Sequence, residues 1–118
     1  MNEPRRTQSF WQQTSDRPQP PTLLEDATTQ VCIVGAGIAG LTTAYLLNRA
    51  GHSVIVLDDG PIAGGETGRT TAHLSNAIDR RYSSIEGLHG EQGARLAAES
   101  HTQAIDTIEK IVATEGID

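Results

Sequence analysis

An α/β fold with two parallel strands joined by a crossover helix is what this sequence predicts, and three observations carry it. Two short apolar runs, Val31–Val34 and Val54–Leu57, show no polar alternation, as expected for strands of a parallel sheet covered on both faces. Between them, Leu41, Ala44, Tyr45 and Leu47 recur at helical spacing. Three glycines in six positions, Gly35, Gly37 and Gly40, sit where the first run gives way to the helix.

The elements follow in order. Residues 1–29 read as an extended polar tail, because Pro4, Pro18, Pro20 and Pro21 fall there and each proline disfavours helix in the residue before it. Phe10 and Trp11 interrupt that polarity and are read as docking the tail onto the body. Residues 30–118 are read as the N-terminal part of one nucleotide-binding domain. Gly51 is placed to end the helix, and the crossover between the two strands should be right-handed. From Ile62 to Thr71 glycine and threonine dominate, which reads as a loop. Beyond it Leu96, Ala97, Ser100, Ala104, Ile105, Ile108, Ile111 and Val112 keep the spacing of a long amphipathic helix, with Gly90 before it and Gly116 after it.

The segment Gly35-Ala36-Gly37-Ile38-Ala39-Gly40 matches a dinucleotide fingerprint in the context that the fingerprint requires. The first glycine permits a tight turn out of the strand, the second keeps side chains off a pyrophosphate, and the third lets helix and strand pack closely. A helix starting here aims the N–H groups of Ile38, Ala39 and Gly40 and the positive end of its dipole at phosphate. Asp58 follows Gly35 by 23 positions at the exit of the second strand, where an acid accepts hydrogen bonds from ribose hydroxyls. Asp59 is the secondary candidate. The fold is therefore Rossmann-like, and the unit is built for FAD or NAD(P).

Charge and composition narrow the partners. Nine Lys and Arg against fifteen Asp and Glu give a net charge of -6, which argues against nucleic acid and anionic membrane. No apolar stretch has the length of a membrane span, and the N-terminus lacks the apolar core of a secretory signal, so a cytoplasmic protein is expected. Cys32, the only cysteine, is expected as a small buried hydrophobe, and no cluster with metal-ligand spacing surrounds it.

The fingerprint alone does not separate FAD from NAD(P), because both contain adenosine diphosphate. The following loop does discriminate. Gly64, Gly65 and Gly68 stand beside Thr67, Arg69, Thr70 and Thr71 only a few residues past the ribose acid, so amides and hydroxyls can return across the pyrophosphate with Arg69 adding positive charge. An NAD domain would enter its next helix here.

With Gly35 to Gly40, Asp58 and the segment GGETGRTTAHL, the chain resembles the N-terminal part of FAD-dependent oxidoreductases of the D-amino-acid oxidase and glycine oxidase type. Its SFWQQT tail, its TGRTTAHL wording and a long helix ending in EGID are similar to a bacterial subgroup whose flavin domain is followed by a Rieske iron-sulfur domain. Aspartate stands at position 58 where glutamate is commoner in these flavoproteins. The resemblance implies an extended FAD with Gly35, Gly37 and Gly40 at the pyrophosphate, Asp58 at the ribose, and Thr67 to Thr71 leading toward the flavin. It also implies that Thr71, Ala72 and His73 approach the isoalloxazine ring, although a histidine hydrogen-bonded within a loop explains His73 as well.

By the same resemblance, the reaction is oxidation of a C–N bond in a small-molecule amine or amino acid by hydride transfer to FAD. Electrons then pass to oxygen or, in the subgroup, to a [2Fe-2S] cluster in a C-terminal domain absent from this chain. Two strands and a few helices do not cover both faces of a doubly wound sheet, so the sequence reads as an incomplete domain, inactive alone. The competing readings are an NAD(P)-dependent dehydrogenase, a flavoprotein monooxygenase, and a non-catalytic nucleotide-binding or interaction module. No catalytic residue can be named from these residues.

Overall fold

The computed structural model describes residues 9–14 and 16–117, apart from the Trp11 side chain. Expectations for the first eight residues, Pro4 among them, and for the Trp11 ring lie outside the described residues. The chain divides into two compact units, Met1–Thr71 and Ala72–Asp118.

In the first unit, β1 (Val31–Val34) and β2 (Val54–Leu57) pair in parallel, with Val31 opposite Val54 and Val34 opposite Leu57. A side-chain clamp fixes this register at the start of both strands: the Ser53 amide donates to Gln30 Oε1 at 2.8 Å, and the Gln30 amide donates to Ser53 Oγ at 3.1 Å. Between the strands runs α2 (Ile38–Arg49), which packs on both of them. Gly51, at φ 89°, reverses the chain after the helix, and its amide and that of His52 satisfy the Asn48 and Leu47 carbonyls.

The apolar runs become strands as expected, and, as expected of an incomplete domain, they are not covered on both faces. Burial alternates along β1, with Val31 and Ile33 half-buried and Cys32 and Val34 exposed, Val34 to 85%. Cys32 is thus exposed rather than a buried hydrophobe, because its register position turns it to the face away from Val31 and Ile33. Ala36, in the glycine bend, is only 4% exposed.

The tail is not extended throughout. Phe10–Thr14 forms a short helix, α1, opened by Ser9, whose hydroxyl accepts the Gln12 amide. Phe10 stays 67% exposed, and docking runs through its neighbours. Ser9 Oγ donates to the Gly68 carbonyl, and Gln12 lies so close to Gly68 that a Cβ there would come within 2.8 Å of Nε2.

In the second unit α3 (Tyr82–Glu115) starts earlier than the apolar spacing indicates. Gly90 does not precede the helix but kinks it, at φ 73° and ψ 171°, a backbone region open to glycine alone. Its half-buried positions include Ala97, His101, Ile105, Ile108 and Ile111, whereas Leu96 and Val112 are more exposed. The helix ends at Gly116 in the left-handed conformation, with its amide and that of Ile117 donating to Val112. No helix among the described residues is long and apolar enough to cross a membrane.

Candidate functional site

The site forms where β1 turns into α2. Gly35 adopts φ 106°, a left-handed conformation costly for any residue with a Cβ. Its amide still extends the sheet, donating to Leu57 at 2.7 Å. The third glycine is required by sterics: a Cβ at Gly40 would overlap the Gly35 carbonyl oxygen and crowd Ile33. Helix and bend therefore touch through backbone.

Gly37 is the N-cap of α2 and has no side chain to cap with. The missing acceptor comes from the loop: Thr67 Oγ1 accepts the Ile38 amide at 2.9 Å and lies 3.2 Å from where a Gly37 Cβ would stand. That contact leaves the Thr67 hydroxyl proton to donate elsewhere. Helix geometry leaves the amides of Ala39 and Gly40 without an acceptor inside the helix. The loop is fixed again at Ala63, whose amide donates to the Ala36 carbonyl at 2.9 Å.

Asp58 points into the mouth of the bend. Its Oδ2 accepts the Ala36 amide at 2.6 Å, and its Oδ1 accepts the Gly60 amide at 2.8 Å. These two donors, Ala36 foremost, hold its carboxyl below the usual aspartate range. Each oxygen keeps further lone-pair capacity for a hydroxyl donor. Sequence reasoning did not single out Ala36, Gly60 or Ala63, although Asp-Asp-Gly-Pro carries the signature of the side-chain turn that joins Asp58 to Gly60.

A cavity of about 400 Å³ joins these parts, lined by Gly37, Asp58, Asp59, Gly65 and Thr67 among others. The candidates Gly35, Gly37, Ile38, Gly40, Asp58, Asp59, Gly65 and Thr67 thus lie together. Ala39 belongs to the first turn of α2, and Gly68 is buried beneath the loop, where a Cβ would overlap the Ala63 carbonyl oxygen. Arg69 is not among the residues lining the cavity. It pairs with Glu66 at 3.3 Å, both side chains largely exposed, a contact worth about 0–1 kcal/mol. Thr70 and Thr71 are exposed at the end of the first unit, and Ala72 and His73 open the second. Among the described residues, no group of three or more His, Cys, Asp or Glu side chains is arranged to hold a metal.

This geometry fits the diphosphate and ribose of a dinucleotide: no side chain at Gly37 in the bend or at Gly65 in the loop, a hydroxyl at Thr67, helix-start amides, and the Asp58 carboxylate in the cavity wall. Comparison with known proteins agrees. Residues 30–118 match the family model described as FAD dependent oxidoreductase. The chain is 36% identical over 111 residues to YhfW of Bacillus subtilis (strain 168), which bears the name of a Rieske 2Fe-2S iron-sulfur protein; the match covers 94% of this chain and 22% of that protein. It is also 36% identical over 91 residues to gamma-glutamylputrescine oxidoreductase of Escherichia coli (strain K12), covering 76% and 21%. A shorter match, 53% identical over 38 residues, joins it to D-amino acid dehydrogenase of Dechloromonas aromatica (strain RCB), covering 32% and 9%. The chain spans about a fifth of the length of the first two relatives. No solved structure matches it.

Proposed function

The chain belongs to the family of FAD-dependent oxidoreductases, and from that premise we propose that it supplies the ADP-binding part of an enzyme that oxidises a C–N bond in an amine or amino acid. The observation that carries this reading is the Asp58 carboxylate at the mouth of the Gly35–Gly40 bend, next to a cavity shaped by Gly37 and Thr67. Residues 30–118 act as the N-terminal part of the flavin-binding domain. The relatives named for gamma-glutamylputrescine and for D-amino acids support the substrate class.

In this reading the helix-start amides of Ala39 and Gly40 bind the diphosphate, and Thr67 adds its hydroxyl proton while its oxygen holds the Ile38 amide. Asp58 takes the ribose hydroxyls and stays anionic, because Ala36 and Gly60 stabilise its charge. Gly65 keeps side chains off the phosphates, and Gly68 lets the loop close. Thr70, Thr71, Ala72 and His73 carry the chain onward from the diphosphate. When bound, FAD supplies the hydride acceptor. The relative named as a Rieske protein supports a [2Fe-2S] centre as the next electron carrier, held by residues beyond this segment.

The test is anaerobic mixing of the full-length protein with panels of amines and of D- and L-amino acids. Bleaching of flavin absorbance by one of these classes is expected. Bleaching by NADH or NADPH alone contradicts the reading and favours a monooxygenase. Reduction of an iron-sulfur signal after the flavin tests the electron carrier separately.

A further inference from the structure

We propose that the N-terminal segment Arg17–Leu23 is a strap forming the outer wall of the base subsite, so that the adenine of the bound dinucleotide lies between the strap and the exit of β2. The inference rests on the reading of Asp58 as the ribose-binding acid.

Two cavities meet at that carboxylate. Ala36, Asp58, Asp59, Gly60 and Pro61 line both. The smaller one continues toward Gly37 and Thr67, where the diphosphate is read to bind. The larger, about 950 Å³, takes in Arg17–Leu23 together with Leu41, Val56 and Ile62. In adenosine diphosphate the ribose joins the phosphates at one end and the base at the other. An acid on the ribose therefore needs two subsites beside it, and two cavities share the Asp58 wall.

The chemistry of the larger cavity suits a purine. Pro18, Pro20, Pro21 and Leu23 offer apolar surface against Leu41, Val56 and Ile62, and proline adds no amide donor that would be left unsatisfied by an aromatic face. Arg17 brings a planar guanidinium of the kind that stacks on aromatic rings. The strap is also prepared for its place. Its three prolines fix their own φ and push Arg17, Gln19 and Pro20 toward extended backbone, so little conformational entropy remains to be lost on binding.

The chain is anchored before and after the segment. Ahead of it, Ser9 and Gln12 dock on Gly68, the residue after Thr67. Behind it, Thr29 Oγ1 donates to Ser53 Oγ and Gln30 is clamped to Ser53. The strap thus ties the loop that touches the diphosphate cavity to the base of the sheet.

The experiment uses the full-length protein freed of flavin, with ADP as the probe, and follows amide hydrogen exchange. Slowing of at least tenfold is expected at Thr22 and Leu23 as well as at Gly35–Leu41. The double variant Arg17→Ala/Leu23→Ala should weaken ADP binding at least tenfold while its far-UV circular dichroism stays unchanged. Protection at Gly35–Leu41 with none in the strap, or an unchanged affinity in the double variant, overturns the strap and leaves the nucleotide site standing. No ADP protection anywhere overturns both.

Discussion

Asp58 Oδ2 accepts the Ala36 amide at 2.6 Å, joining the exit of β2 to the turn that leaves β1. One carboxylate thereby fixes the shape of the bend and stands ready at its mouth. The parallel pairing of β1 and β2 brings the two strand ends together, Val34 opposite Leu57, one residue before Gly35 and Asp58. The site geometry is a direct consequence of strand register.

This relationship makes acid stability a readout of Asp58. Its pKa is lowered in the folded chain by the Ala36 and Gly60 amides. Its stabilisation is therefore complete above the unfolded-state pKa and is lost as pH falls through the lowered folded value. Denaturation of the full-length protein across the acid range should show this loss, and Asp58→Asn should flatten it. The same substitution should weaken FAD binding by roughly tenfold or more, the scale of a hydrogen bond to a charged group.

Gly40→Ala places a methyl group on the Gly35 carbonyl oxygen. Backbone must shift, and an overpacking cost of about 1–3 kcal/mol is expected. A lowered denaturation midpoint, together with reduced flavin content, checks this.

Thr67 supplies the cap that Gly37 lacks. Thr67→Val keeps the shape but removes the acceptor for the Ile38 amide, at a cost of about 0.5–2 kcal/mol if it resembles loss of an ordinary N-cap. Thr67→Ser should retain most of the stability. Equilibrium unfolding of both variants separates the hydroxyl from the methyl group.

What the sequence makes legible varies with the range of the interaction. The bounds of both strands, the helix between them and its stop at Gly51 follow from local patterning, and so does the placing of Gly37 and Asp58 on one cavity. Cys32 departs from expectation because an apolar run implies burial without saying which face of the strand is covered. Gly90 reads from sequence as a boundary, since only coordinates separate a glycine that ends a helix from one that kinks it. The docking of Ser9 and Gln12 on Gly68 joins residues more than fifty positions apart, and no local signal announces such a contact.

The kink gives a further prediction. At φ 73° and ψ 171°, Gly90→Ala should cost about 1–3 kcal/mol or force the two helical segments of α3 into a new alignment. A lower melting temperature, or a rise in helical circular dichroism, is the expected result.

Flavin content of the full-length protein, wild type beside Gly37→Val, tests the central claim most directly. A Cβ at Gly37 would stand 3.2 Å from Thr67 Oγ1, and valine would extend into the diphosphate space. The account predicts a wild type that purifies with flavin absorption bands and a folded variant that has lost them. A colourless wild type that binds NAD, or a variant that keeps its full flavin content, would contradict it.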